Sequence, residues 1–203
     1  MLSPSHDKMF GRYIFGIDEV GLGPLAGPLI IVCCAIDLNN APSIPLTDSK
    51  KLSERQREKI FSEILPHKNK NIFWGCASIS APDLDCMGIP AALKHGVQTA
   101  FARCLSPFTP DHILIDGNRS YDFLYPTTTI IKGDSKHYTI AMASVIAKVL
   151  RDRWMTVLGH LYPQFGFDQH KGYGTKQHLA VIHEGVVSQH HRYSYAPLKN
   201  MNF

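Results

Sequence analysis

Asp18 and Glu19 stand side by side in Gly16-Ile17-Asp18-Glu19-Val20-Gly21-Leu22-Gly23-Pro24-Leu25-Ala26-Gly27-Pro28. Two more acids, Asp116 and Asp134, follow apolar or β-branched runs farther along. If these carboxylates converge, each pair ~4 Å apart repels by about 4 kcal/mol at an effective dielectric of 20. Such a cluster needs cations or bound protons. Hard carboxylate oxygens with no Cys or His close by in sequence suit Mg²⁺ or Mn²⁺, not zinc. In a continuing strand Asp18 and Glu19 point to opposite faces, so a shared site requires the backbone to turn there. Gly21 and Gly23 permit a turn and the close approach of another backbone. The residues alone leave a second reading open, a hairpin with two solvated acids at its tip.

The elements that must position these acids are legible around them. Tyr13 to Ile17 reads as a strand entering the acidic turn, and Leu29 to Ile36 as a buried strand leaving it. Ser53 and Gln56 have capping-box spacing, which predicts a helix from Glu54 to Leu65, stopped by Pro66. Ile72 to Ser80 reads as a third strand. Ile89, Leu93, Gly96, Val97, Ala100, Phe101 and Cys104 recur at helical spacing, predicting an amphipathic helix over 89–105. His112 to Ile115 and Thr127 to Ile131 read as short strands, each followed by an acid. Met142, Ile146, Val149, Trp154, Val157 and Leu161 form a stripe on a long helix over 139–161. Gly166 to Gly174 reads as a loop, and a last helix spans about 176–184. The acids thus fall at the C-terminal ends of strands, where open α/β sheets form sites. The order favours a mixed α/β sheet with helices on its faces.

The acidic stretch resembles the first motif of the type 2 ribonucleases H, roughly G-I-D-E-A-G-R-G-P-L-A-G-P, and departs from it at Val20 and Leu22. The resemblance continues in family order through Asp48-Ser49-Lys50-Lys51-Leu52-Ser53, Ile115-Asp116-Gly117-Asn118-Arg119 and Lys132-Gly133-Asp134. It extends to Ala143–Arg153, His170-Lys171-Gly172-Tyr173-Gly174-Thr175 and Arg192-Tyr193-Ser194-Tyr195-Ala196-Pro197. Seven motifs in order, from about residue 13 to 198, make the match specific.

The resemblance implies a ribonuclease H-like fold, α/β with a mixed sheet flanked by helices and a helical C-terminal extension. Residues 1–203 are then expected to form one catalytic domain, with a core over about 13–160 and the extension over about 161–203. It implies a metal-dependent endoribonuclease that hydrolyses the RNA strand of RNA–DNA hybrids. It also implies cutting at single ribonucleotides embedded in duplex DNA, the chemistry of ribonucleotide excision in DNA replication and repair. Two Mn²⁺ or Mg²⁺ ions would be held by Asp18, Glu19, Asp116 and Asp134, leaving 5′-phosphate and 3′-hydroxyl ends. Asp18 is expected to bridge, Glu19 and Asp116 to ligate, and Asp134 to ligate or orient the attacking water.

Gly21-Leu22-Gly23 would present backbone groups to the ribose 2′-hydroxyl, which distinguishes RNA from DNA. Tyr173 would pack on the neighbouring sugar. Lys50, Lys51, Lys148, Arg151, Arg153 and Lys171 are candidate phosphate contacts. Leu22 replaces the family's arginine and removes a charged contact, unless a neighbouring basic residue fills the gap. Asp152, between two arginines, reads as their ion-pair partner. A type 3 enzyme is the rival within this chemistry. With the acidic motif beginning at residue 16, its extra N-terminal substrate-binding domain is not expected here. A binding protein that has lost catalysis would lack one of the acids, and a small-molecule phosphohydrolase would not explain the glycine turn and Tyr173.

Composition agrees with an ordinary globular protein: 203 residues, 44% hydrophobic, 19% charged and a net charge of +4, which permits an anionic partner without requiring one. The five cysteines form no CxxC pair, and Cys33 and Cys34 are neighbours in an expected strand, so a reducing compartment is expected. No signal peptide or apolar span long enough for a bilayer is evident, and the expectation is a cytoplasmic monomer. The eleven histidines show no zinc spacing and are read as surface or packing residues.

Overall fold

Strand β1 (Tyr13–Val20) runs antiparallel to β2 (Leu29–Asp37), in register from Tyr13 opposite Asp37 to Val20 opposite Ile30. The computed structural model describes residues 1–201. After β2 come α1 (Glu54–Ile64), β3 (Ile72–Ile79), α2 (Ala81–Arg103), β4 (His112–Asp116) and β5 (Thr127–Ile130). Helices α3 (Tyr138–Leu161), α4 (Phe167–His170) and α5 (Lys176–His183) follow. The five strands form one sheet in the order β3-β2-β1-β4-β5, antiparallel across β3-β2-β1 and parallel across β1-β4-β5. This is the expected mixed sheet flanked by helices, with helical segments at the C-terminal end.

Every residue of β2 is buried, because helices cover both faces of the sheet at its centre. Ile14, Val32, Cys34, Ile36 and Leu114 pack with Ile60, Phe61 and Ile64 of α1 and Met142, Ile146 and Val149 of α3. Phe15, Ile17, Ile31, Cys33, Ile113 and Ile115 pack with Leu93, Val97 and Ala100 of α2. Cys33 and Cys34 therefore face opposite layers, and all five thiols are free.

α3 docks tightly on β1 because Gly16 has no side chain. A Cβ there would lie 2.3 Å from the Thr139 carbonyl carbon, which is backbone and cannot yield. The start of α3 is capped from a distance. The buried Asp7 carboxylate accepts from the Tyr138 and Thr139 N–H groups and from the Thr139 hydroxyl. The N-terminal segment, which shows no sequence pattern, thus supplies the anion that the helix N-terminus requires.

The capping box of Ser53 and Gln56 forms as expected. Two elements differ from expectation. The second helix begins at Ala81 rather than 89, capped by Ser80, and breaks at Gly88 with φ 72° before resuming through Pro90. Pro90 near the start of the resumed segment costs no hydrogen bond. The expected 166–174 loop contains the short helix α4. No helix among the described residues is long and apolar enough to cross a membrane.

Candidate active site

β1 does not turn at the acids. It continues through Val20, with Asp18 opposite Val32 and Glu19 opposite Ile31. This corrects the expectation of a turn between Ile17 and Val20, because the ladder to β2 holds the strand extended. The two side chains leave the strand on opposite faces, but at the open end of the sheet, where the neighbouring β4 has stopped at Asp116, their charges still act on each other without a turn.

Asp18 is 5% exposed and Asp134 2% exposed. Burial raises the Asp18 pKa, and the charges of Glu19, Asp116 and Asp134 raise it further, while the Ser144 hydroxyl on α3 pulls it back. Asp18 is thus the acid that feels all three others. Glu19 is pushed up to about 7 by burial and then by Asp116, against the charges of Arg119 and Lys50. Asp116 accepts from the Gly133 N–H at 2.6 Å, and Glu19's own N–H donates to Asp18 at 2.8 Å. Asp134, in the 3-10 turn Gly133–Ser135, accepts from the Lys50 ammonium at 3.0 Å.

Asp18, acted on by the charges of the three other carboxylates, and Glu19, acted on by Asp116, belong to a set of oxygen donors of the kind that a hard divalent cation satisfies. Among the described residues no three His, Cys, Asp or Glu side chains are gathered into a ready metal cage.

The glycine turn lies beside this end of the sheet. Gly21 has φ 98°, and a Cβ there would strike the Arg151 side chain at 2.4 Å. Gly23 is open, and the nearest atom to its missing Cβ is Cε1 of Tyr173 at 3.9 Å. The Leu25 N–H donates to the Gly172 carbonyl at 2.8 Å, pinning the two loops together. Tyr173 is 45% exposed at this junction. The structure thus brings together Gly21, Leu22, Gly23 and Tyr173.

Two wholly buried arginines hold the turn from beneath. Arg151 donates to the carbonyls of Pro28, Ala26 and Lys171. Arg192 donates twice to Gly27 and once to Leu22. The Tyr195 hydroxyl donates to the Leu22 carbonyl as well. Neither guanidinium makes an ion pair among the described residues. Burial, and then the nearby Arg192 charge, lowers the Arg151 pKa to about 10. Arg151, expected to face phosphate, instead directs its donors to backbone carbonyls inside the protein.

Lys171 is corrected likewise. Its ammonium is drawn inward to the Thr156 hydroxyl at 2.9 Å and the Asp168 carbonyl at 2.7 Å. Lys148 is bound to Asp152 at 2.6 Å in a mostly buried pair and is not a free cation. Asp152 pairs with Lys148 and Arg57 rather than with its sequence neighbours, since Arg151 points to the turn and Arg153 forks onto Glu58. Lys50 stands at the acids with its side chain 75% exposed, and Lys51 is exposed beside it. Asn118, Arg119 and Tyr121 join Glu19, Asp116, Gly117 and Leu22 around one cleft. Asn118 and Arg119 lie in a matched motif, whereas Tyr121 carries no sequence signal.

The histidines are packing residues, with a defined order. The Ser188 N–H donates to His191 Nδ1, so His191 carries its proton on Nε2 and donates to His178 Nε2 at 3.0 Å. His178 then donates from Nδ1 to the Tyr173 carbonyl at 2.9 Å. His170 stacks on His178 with centroids 4.4 Å apart and accepts from the Gly172 N–H. Every ring nitrogen in this chain is used by a neutral tautomer, so a proton added anywhere opposes an existing donor.

Burial, followed by the His178 charge, lowers His191 to about 4, and burial lowers His178 too. An unfolded histidine binds its proton near pH 6.5, so between about 6.5 and 4 the unfolded chain holds more protons and stability rises with pH. His191 alone is expected to cost up to about 3 kcal/mol as pH falls through that window. Chemical denaturation at pH 7 and pH 5 checks this: His191→Phe should flatten the difference, and an unchanged difference would remove His191 as its source.

The family model for ribonuclease HII matches residues 15–198. A ribonuclease HII from Bacillus thuringiensis (strain Al Hakam) is 48% identical over 190 residues, covering 93% of this chain and 71% of the relative. The ribonuclease H2 of Pyrococcus horikoshii OT3 has a similar structure, with a TM-score of 0.75 and 23% identity, covering 93% of this chain and 96% of that one. A structure described as Bst-RNase HIII in complex with Mn2+ matches at a TM-score of 0.67 and 18% identity, covering 96% of this chain and 70% of that one.

Proposed function

This chain belongs to the ribonuclease HII family, a metal-dependent endoribonuclease acting on RNA–DNA hybrids, and we propose that it also cuts duplex DNA at single embedded ribonucleotides. The observation that carries this is the meeting of the glycine turn with Tyr173 at the edge of the acidic cleft. A site that reads one 2′-hydroxyl needs only a local reader beside the scissile phosphate, not a long RNA track.

Asp18, Glu19, Asp116 and Asp134 would hold two divalent cations, Mn²⁺ or Mg²⁺, with Asp18, on which the charges of the other three act, at the centre of the set. When bound, these ions supply Lewis-acid charge that activates a water for attack on phosphorus and stabilises the leaving 3′ oxygen, giving 5′-phosphate and 3′-hydroxyl ends. Asp134 ligates or orients the attacking water. Lys50 steadies Asp134 and, with Lys51, offers positive charge to the backbone of the duplex. Because Arg192 and the Tyr195 hydroxyl draw the Leu22 carbonyl inward, the N–H groups of the turn are left for the ribose hydroxyl. The Tyr173 ring packs on the adjacent sugar.

The test is a labelled duplex carrying one ribonucleotide, with an all-DNA control, incubated with Mg²⁺, with Mn²⁺ or with chelator. Metal-dependent cutting of the first duplex alone is expected, and equal cutting of both would overturn backbone reading of the 2′-hydroxyl. On the same substrate Tyr173→Phe should act nearly as the parent. Tyr173→Ala should lose about ten- to a hundredfold in kcat/KM, the scale of one lost ring contact with a nucleotide. Equal losses in the two variants would mean that the hydroxyl, not the ring, does the work.

A further inference from the structure

We infer that Arg119, flanked by Asn118 and Tyr121, binds a phosphate of the duplex in the cleft it shares with the acids, and so supplies the charged side-chain contact that Leu22 cannot make. This rests on reading the cleft as the place where a hybrid is cut. The cleft has a volume of about 220 Å³ and is lined by Glu19, Asp116, Asn118, Arg119, Tyr121 and Leu22. That is below the ~300–1,000 Å³ of pockets for drug-sized ligands and suits one sugar-phosphate unit.

The state of the guanidinium singles it out. Of the eight arginines in the chain, Arg12, Arg57 and Arg153 are bound to carboxylates. Arg103, Arg151 and Arg192 are bound to backbone carbonyls. Arg55 is exposed on α1, away from the cleft lining. Arg119 shares a cleft with two acids yet makes no hydrogen bond or ion pair among the described residues. The Arg119 charge reaches Glu19 without a hydrogen bond to it, so the guanidinium's donors remain open to an anion that enters the cleft beside the acids. The polar atoms of Asn118 and Tyr121 likewise have no hydrogen-bond partner among the described residues. Gly117 has φ 93° with no atom within 4 Å of where its Cβ would lie, so a sugar-phosphate backbone can approach that loop closely. The Leu22 side chain contributes apolar surface only, packed against the core layer of Phe15 and Ile17.

If both positions face one phosphate, an arginine at either should serve, and two should add little. The experiment measures binding of a fluorescein-labelled RNA–DNA hybrid by anisotropy over a range of salt, without metal so that cleavage does not intervene. The proteins are the parent, Arg119→Ala, Arg119→Lys, Leu22→Arg, and Arg119→Ala combined with Leu22→Arg. Arg119→Ala should weaken binding about ten- to a hundredfold, as for a lost charged hydrogen bond, and flatten the log–log salt slope by about 1. Arg119→Lys should fall between, keeping the charge without the fork. Leu22→Arg should recover most of the loss in the Arg119→Ala background and change the parent less than threefold.

Because Arg119 is exposed and unpartnered, melting temperatures should be unchanged. An unaltered affinity and salt slope in Arg119→Ala would overturn the inference. Equal tightening by Leu22→Arg in both backgrounds would also overturn it, since additive effects mean separate sites. A fall in kcat for Arg119→Ala with affinity and slope unmoved would do so as well, by placing its action on the acids. If the parent itself neither binds nor cuts the hybrid, the reading of the cleft fails instead, whatever Arg119 does.

Discussion

Asp18→Asn is expected to reduce cleavage at least about a thousandfold, some 4 kcal/mol of barrier, while the protein stays folded and still binds a hybrid. The reason lies in what the amide keeps and what it loses. Its oxygen can still accept the Glu19 N–H that Asp18 accepts at 2.8 Å, so the end of β1 is not disturbed. The negative charge that Glu19, Asp116 and Asp134 oppose is gone, and with it the proposed cation ligand. The two effects separate by calorimetry. In chelator the variant should melt at or slightly above the parent, because a buried repulsion is relieved. With Mg²⁺ or Mn²⁺ the parent should gain stability by mass action and the variant should gain much less. Asp116→Asn should behave alike, since its oxygen can keep the Gly133 N–H. A variant within tenfold of the parent's rate, or with the parent's full metal-dependent shift, would remove that acid from the site.

The parts of this fold that were legible in sequence are those decided within a few residues. The β2 run is apolar throughout because both its faces are covered, and that shows without a partner. The Ser53 capping box is complete within four residues. The stripe on α3 follows from the helix period, although Trp154, Val157 and Leu161 prove exposed while the helix's first two and a half turns are buried all round. The failures are long-range. Asp7 looks like a polar residue in a leader until it meets the start of α3, 131 residues later. The extended path through Asp18 and Glu19 is imposed by β2, which no local signal at the glycines records. Arg151 and Lys171 have the types of phosphate ligands, and only tertiary packing turns their donors inward. Basic residues are thus the least legible part of the site: a charge shows in sequence, but whether it faces water or a buried carbonyl does not.

That distinction sets the effect expected at Arg192. Arg192→Met should destabilise the protein by about 2–4 kcal/mol, because the Gly27 carbonyl loses both its guanidinium donors and the Leu22 carbonyl loses one of two, each buried orphan costing about 1–3 kcal/mol. For a chain of this size the loss corresponds to a melting point about 5–12 °C lower. Arg192→Lys should recover only part of it, since a single ammonium cannot reproduce the fork that spans Leu22 and Gly27. Removing the charge does not offset the loss, because the carbonyls aimed at it have no water to turn to.

The functional consequence is larger than the stability alone. With the Leu22 carbonyl released, the peptide planes of the turn are free to rotate, and the N–H groups offered to the 2′-hydroxyl lose their aim. Preference for a ribonucleotide duplex over all-DNA should therefore narrow, even at a temperature where the variant is fully folded. Tyr195→Phe provides the control, since it removes the other donor to the Leu22 carbonyl, a hydrogen bond of 2.9 Å, at a stability cost of only about 1 kcal/mol. It should narrow the same preference to a smaller degree. If Arg192→Met is folded and discriminates like the parent, the turn does not depend on its buried clasp, and the backbone reading of the ribose loses its structural support.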